Sequence, residues 1–306
     1  MNLFHKKDQY QGYNIYSMKK YVDKKRIIFT TIIVILIIIT LGFIIYYSVD
    51  TTIRLKSAKR FEQKLIEYES KQEELQKQER ERQAKIPKLT DEGKQNIKGI
   101  YKSETKRVFL TFDDGPSVNT ADVLDILKSN DIKATFFVLG TQVEKMPEMV
   151  KRAYQEGHYI ANHGYSHQYS QIYSSPETVL QEFNQCNSAV AKAIDVPEYN
   201  SHLFRFPGGS VGGKYANLKA EAVTLLEQNN IMHVDWNALT GDAEKSSPDE
   251  EYLMNNLQKT TQNKNSIVIL MHDAQAKRVT VDFLPKLIEF FQQQGYQFEN
   301  FYSIIK

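Results

Sequence analysis

Ionisable residues gather where short apolar runs end, and their types are those of hydrolytic chemistry. Asp113-Asp114-Gly115-Pro116 follows an apolar run over residues 108–112, and His163 and His167 follow one over 159–161. Arg205 lies at the end of a third run, just before Pro207-Gly208-Gly209. Asp242 follows the run 231–235, and His272-Asp273 close the run 266–271. Adjacent carboxylates point to opposite sides of a continuing strand, but a Gly-Pro turn lets both face one cleft. Alone, Asp-Asp-Gly-Pro also reads as an ordinary Asx-type turn. His163 and His167 stand four positions apart, which brings two imidazoles together on a helical turn. With one carboxylate they make a two-His, one-Asp set. Such a set suits one divalent ion, Zn²⁺ above other first-row metals, with positions open for water and substrate. Arg205 at a buried strand end invites a carboxylate partner. His272, after Ile-Val-Ile-Leu-Met, is a candidate acid or base. His158, His202 and His233 stand alone and read as structural or surface residues.

Positioning these groups requires an α/β scaffold. Strands are expected over 108–112, 134–139, 159–161, 203–206, 231–235, 266–271 and 296–301. Helices are expected over 120–129, 146–156, 176–193, 219–228, 248–262 and 280–294. Alternation of near-continuous apolar strands with helices implies a parallel sheet covered by helices. About seven such units predict a distorted, incomplete (β/α) barrel, with chemistry at the C-terminal ends of its strands. The single cysteine, Cys186, excludes an internal disulfide and a cysteine metal site, and reads as a small buried hydrophobe.

The first third of the chain is of another kind. Residues 27–49 are an uncharged, Ile-rich run of 23 positions. At 1.5 Å per residue the run spans roughly 34 Å, enough to cross a bilayer. It shows no polar stripe and ends in Tyr46-Tyr47, which fits an uncleaved spanning helix better than a core helix or a signal peptide. Lys6, Lys7, Lys19, Lys20, Lys24, Lys25 and Arg26 precede it, so residues 1–26, with His5, are expected in the cytoplasm and the remainder outside. Residues 51–86 are highly charged and lack Pro and Gly. Phe61, Leu65, Tyr68 and Leu75 form a partial heptad seam interrupted at Gln72, which admits weak self-association. A solvated single helix acting as a stalk is the preferred reading, with Pro87 ending it and 88–105 a polar linker. The expected division is thus 1–26 cytoplasmic, 27–49 transmembrane, 50–105 stalk and linker, and 106–306 catalytic. A net charge of +2 gives no general signal for nucleic acid.

Thr-Phe-Asp-Asp-Gly-Pro, His-x-x-x-His, Arg-Phe-Pro-Gly-Gly, Gly-Asp242 and Leu270-Met-His272 occur in that order. Together they resemble the polysaccharide deacetylases of the NodB-homology type, carbohydrate esterase family 4, over residues 105–306. The resemblance implies a distorted (β/α) barrel and a metal held by Asp114, His163 and His167. It implies Asp113 as general base, oriented by Arg205, and His272 as general acid, supported by Asp242. It also places Gly208, through its backbone N–H, and Leu270 on the oxyanion and substrate side. Three positions depart from the common family pattern. Gly164 stands where Ser or Thr is usual and would loosen the loop holding His163. Gly208 stands where Tyr is usual, and Ala243 where Trp is usual, with Trp236 seven residues earlier. These departures bear on the substrate more than on the reaction. The expected substrate is N-acetylglucosamine in a Gram-positive wall glycan, either the peptidoglycan strand or the linkage sugar of a wall-attached polymer. An O-acetyl esterase and a catalytically silent wall-binding protein are the alternatives. The intact Asp113, Asp114, His163, His167 and His272 speak against the second.

Overall fold

The computed structural model describes residues 15–305. The expectation of a cytoplasmic basic segment over 1–26, His5 included, lies largely outside them. The chain divides into two units, Met1–Gln78 and Glu79–Lys306. The first consists mainly of one long helix, α1 (Ile15–Ala84), whose apolar stretch is solvent-exposed and long enough to cross a membrane. The helix runs without a break through the expected stalk. The seam residues Phe61, Leu65, Tyr68 and Leu75 are all exposed.

The second unit is an open barrel of parallel strands. These are β1 (Arg107–Asp113), β2 (Thr135–Val138), β3 (Tyr159–Asn162), β4 (Leu203–Phe204), β5 (Met232–His233), β6 (Ala238–Leu239), β7 (Ser266–His272) and β8 (Gln297–Glu299). Seven run in the order β5-β4-β3-β2-β1-β7-β6, while β8 pairs with the first residues of β1 and β2 with its last. The helices are α2 (Asp91–Lys98), α3 (Val118–Ser129), α4 (Gly140–Lys145), α5 (Pro147–Gln155), α6 (Tyr169–Ile172), α7 (Pro176–Ile194), α8 (Ala216–Gln228), α9 (Glu250–Thr261) and α10 (Arg278–Gln293).

Strand alternation divides the core in two. Val108, Leu110 and Phe112 of β1 join Phe136, Ile160, Ile267, Ile269 and Met271 in a cluster that packs against the helices. The intervening Phe109 joins Phe137, Tyr159, Leu203, Val268 and Phe301 in an inner cluster. Period-two geometry then puts Thr111 and Asp113 on the same inner side as Phe109. The same rule aligns His163 with Tyr159 and Ala161, and His272 with Val268 and Leu270. The strand ends therefore deliver Asp113, His163 and His272 to the inner side, the last two each two residues beyond an inner apolar one, Ala161 and Leu270.

The seven expected strands all occur. The two-residue β6 was not expected, because Ala238-Leu239 is too short for any periodic pattern; it is fixed by pairing with Ile269 and Leu270 of β7. Residues 88–105 differ from a polar linker. They contain α2, capped by Thr90 through Gly93 N at 3.1 Å, and bury Ile97 and Ile100 in the inner cluster. Two apolar residues in a charged stretch carry that docking and leave little trace in composition. The short α4 and α6 were likewise not expected.

Phe109 is fully buried and its ring lies 5.4 Å from that of Phe301. Phe109→Ala should destabilise the second unit by about 3–5 kcal/mol, read as a lowered urea midpoint. A loss below about 1 kcal/mol would show that the inner cluster is not what holds the strands together.

Candidate active site

The last residue of β1, Asp113, is buried beside Arg205, which follows β4 and is itself wholly buried. Arg205 Nη1 donates to Asp113 Oδ1 at 2.8 Å and to Thr111 Oγ1 at 2.7 Å. Its Nη2 donates to the Asp235 carbonyl at 3.0 Å and its Nε to that of Val234 at 3.3 Å. The guanidinium lies 3.9 Å from the centroid of the Phe137 ring. The carboxylate partner expected for Arg205 is thus Asp113. Burial raises the Asp113 carboxyl above its ordinary range, while Arg205 and His272 oppose that rise.

Asp114 turns away with φ of 70°, before the Gly115–Pro116 bond, which is cis. This turn is braced by Asp273, whose carboxylate accepts from Thr120 Oγ1 at 2.5 Å. A Cβ on Gly115 would fall 2.3 Å from Asp273 Oδ1, so only glycine lets the two segments meet. Beyond the turn, Asp114 Oδ1 lies 3.5 Å from His163 Nε2 and 3.4 Å from His167 Nε2. His163 Nδ1 is 2.7 Å from the Arg205 carbonyl, the geometry of an N–H donor, which leaves a lone pair on Nε2. Burial pushes the His163 imidazole down to about 3, so it is neutral at ordinary pH. Asp114 Oδ1 is buried with no hydrogen-bond partner. A carboxylate oxygen facing an imidazole lone pair is unfavourable unless a cation lies between them, and the three ligand atoms fall within 4.8 Å of one another. The residues fit a divalent metal.

The two histidines do not share a helical turn. Residues 163–168 form a loop, with His167 at φ of 57°, and α6 begins only after it. The loop is shaped by Glu182 of α7, a buried carboxylate that accepts from Tyr165 N at 2.6 Å, Ser166 N at 2.7 Å and Ser166 Oγ at 2.7 Å. Gly164 N–H also donates to Asn162 Oδ1 at 3.0 Å. Glycine at 164 therefore does not leave the ligand loop loose. Nothing in the spacing around Glu182 marked it; its signal is a lone acid on the buried face of an amphipathic helix.

Across the cleft, His272 Nδ1 lies 3.0 Å from Asp242 Oδ1. Asp242 Oδ2 accepts from the His272 backbone N–H at 2.8 Å and from Thr280 Oγ1 of α10 at 2.7 Å. Burial alone would lower the His272 pKa, but the hydrogen bond and charge of Asp242, with Asp113 and Asp114, lift it to about 9. Burial likewise opposes ionisation of Asp242, yet its bond to His272 holds it below the ordinary range. Asp242 stands three residues after β6, so the unexpected strand is the element that aims it.

Asp113, Asp114, His163, His167, Gly208, Asp242, Leu270 and His272 all line one cleft of about 350 Å³, with Trp236 and Ala243 in the same wall. That volume is at the small end of ligand clefts, roughly 300–1,000 Å³. Arg205 lies behind Asp113, out of solvent. Larger grooves run over α7 and at the opposite end of the sheet, but neither is lined by these strand-end groups. Removing the loop brace should show in metal affinity. Glu182→Ala is expected to weaken divalent-ion binding by about 10–100-fold in a calorimetric titration, and unchanged affinity would count against this role.

Residues 101–225 match the polysaccharide deacetylase family. The chain is 36% identical over 198 residues to the putative polysaccharide deacetylase YheN of Bacillus subtilis, covering 63% of this chain and 66% of that protein. It is 33% identical over 205 residues to a peptidoglycan-N-acetylglucosamine deacetylase of Bacillus cereus, covering 65% of this chain and 71% of that protein. The catalytic domain of a peptidoglycan N-acetylglucosamine deacetylase from Eubacterium rectale superposes with a TM-score of 0.60 at 31% identity, over 65% of this chain and 90% of that one. Sequence kinship and a shared half-barrel agree: the chain belongs to the polysaccharide deacetylases, hydrolases of carbohydrate amide bonds.

Proposed function

We propose that this protein is a metal-dependent N-deacetylase acting on N-acetylglucosamine residues of a bacterial wall glycan. In this reading α1 crosses the membrane once and holds the catalytic unit on the outer face. The observation that carries the reaction is the meeting of Asp114, His163 and His167 between two opposed pairs, Asp113–Arg205 and Asp242–His272. The relatives described as peptidoglycan-N-acetylglucosamine deacetylases support the substrate.

Held by Asp114, His163 and His167, a divalent ion, zinc by the nitrogen-rich donor set, would polarise an acyl oxygen and acidify water. Asp113 is the general base. Its Oδ1 is engaged by Arg205, and Oδ2, 3.8 Å from His163 Nε2, takes the proton of the attacking water. Water oxygen bonds to the acetyl carbon, and the backbone N–H of Gly208 steadies the charge on the acyl oxygen. Asp242 holds His272 through Nδ1, so Nε2 presents the proton to the sugar nitrogen. The C–N bond then breaks to give acetate and a free amine. Leu270 and Trp236 close the cleft around the acetyl group.

Purified protein with divalent metal should release acetate from N-acetylated wall glycan, and chelation should abolish the release. Asp113→Asn should lower kcat by about 10²–10⁴-fold. Release from acetyl esters alone would reassign the substrate, and no release with metal bound would overturn the reading.

His272 acts in its protonated form, which a pKa of about 9 maintains through neutral pH. The rate should therefore fall as pH rises through about 9. Asp242→Asn removes the charge that lifts this pKa. The alkaline limb should then move down towards the ordinary histidine value of about 6.5. An alkaline limb left in place by that substitution would remove His272 as the acid.

A further inference from the structure

One half-exposed aromatic at the cleft belongs to neither the base, the ligand nor the acid set. Tyr169 opens α6, two residues beyond His167, and keeps 41% exposure. Its ring stands edge-on to His167 and to Tyr173, with centroids 5.6 Å away in each case. Tyr173 is buried, and its hydroxyl donates to the Pro207 carbonyl at 2.6 Å. Tyr169 is thus packed on a ring that is itself tied to the turn before Gly208. Its remaining surface lines the cleft together with Asp114, Trp236, Leu270 and His272.

The position of the phenol depends on Gly208. A Cβ built there would lie 2.7 Å from Tyr169 Oη and 3.4 Å from Cζ and Cε2, closer than the oxygen contact allows. Gly208 also has φ of 73°, a conformation that other residues rarely adopt. The glycine and the tyrosine are a matched pair, the first making room for the second. Among the described residues the Tyr169 hydroxyl has no hydrogen-bond partner, although the hydroxyl groups of Tyr159, Tyr173 and Tyr199 each have one. An aromatic ring with a free polar tip, in a cleft that it shares with Trp236, Leu239 and Leu270 as well as the ionisable groups, suits a ligand with C–H faces and peripheral hydroxyls. A pyranose has that pattern.

We infer that Tyr169 is a specificity-determining residue that binds the sugar ring carrying the acetyl group. Its ring packs on the pyranose, its hydroxyl hydrogen-bonds a sugar hydroxyl, and Gly208 is the residue that admits it. The inference rests on the N-deacetylase reading above.

Steady-state acetate release by the full-length, metal-loaded chain from an N-acetylglucosamine tetramer tests it. Tyr169→Phe removes only the hydroxyl and should raise KM about fivefold, the scale of one lost hydrogen bond, with a smaller change in kcat. Tyr169→Ala should raise KM further. Circular dichroism checks that each variant is folded. An active wild type whose KM is unchanged in both Tyr169 variants overturns the inference and leaves the deacetylase reading standing. A wild type that releases no acetate overturns both.

Discussion

The buried guanidinium of Arg205 is the constraint on which the rest of the site depends. Removing such a group from water costs several kcal/mol unless its donors are all matched. Here Thr111, Asp113, Val234 and Asp235 supply acceptors from β1 and from the chain after β5. Phe137 of β2 supplies an aromatic face. These partners fix the relative height of separate strands at the catalytic end of the barrel. Through its carbonyl, the same residue orients His163. One side chain and its own backbone therefore position both Asp113 and the His163 imidazole.

The barrel makes this economical. Inner positions at the middle of β1, β3 and β7 carry Phe109, Tyr159, Ala161 and Val268, and the inner side ends in Asp113, His163 and His272. The sheet places these groups at one level because its strands are parallel and in register, with Asp113 opposite both Phe137 and His272. The two carboxylates nearest the cleft floor then differ by surroundings alone. Asp113 faces a buried cation, whereas Asp114 faces two imidazole nitrogens with no donor of its own.

Much of this was legible in the sequence because it follows from period and position. The strands showed as apolar runs, and the charged residues at their ends carried the site. What escaped lay in short or isolated features. β6 is two residues long, yet it aims Asp242. Glu182 lies 15 or more positions from the two histidines whose loop it steadies, and only the fold brings α7 beneath that loop. The spacing of His163 and His167 pointed to a helical turn, but glycine at 164 and the carboxylate of Glu182 favour a loop that reaches the same end. Trp236, whose place could not be read from sequence, lies in the cleft wall because the chain between β5 and β6 spans the open side of the barrel. The fit of Tyr169 against Gly208 is a three-dimensional relation between positions that no periodicity connects.

The pairing of β1 bears on the order in which the domain is made. Lys106 and Arg107, at the start of that strand, bond to residues 188 and 159 positions away, Gln294 and Ser266. Contacts of such separation form late, because closing long loops costs entropy that is regained only when the distant segments dock. Asp114 follows β1, and His163 and His167 follow β3, while His272 arrives on β7. Asp273, the brace of the Asp114 turn, arrives with the same strand as His272, so the two sides of the cleft are completed together when β7 docks on β1.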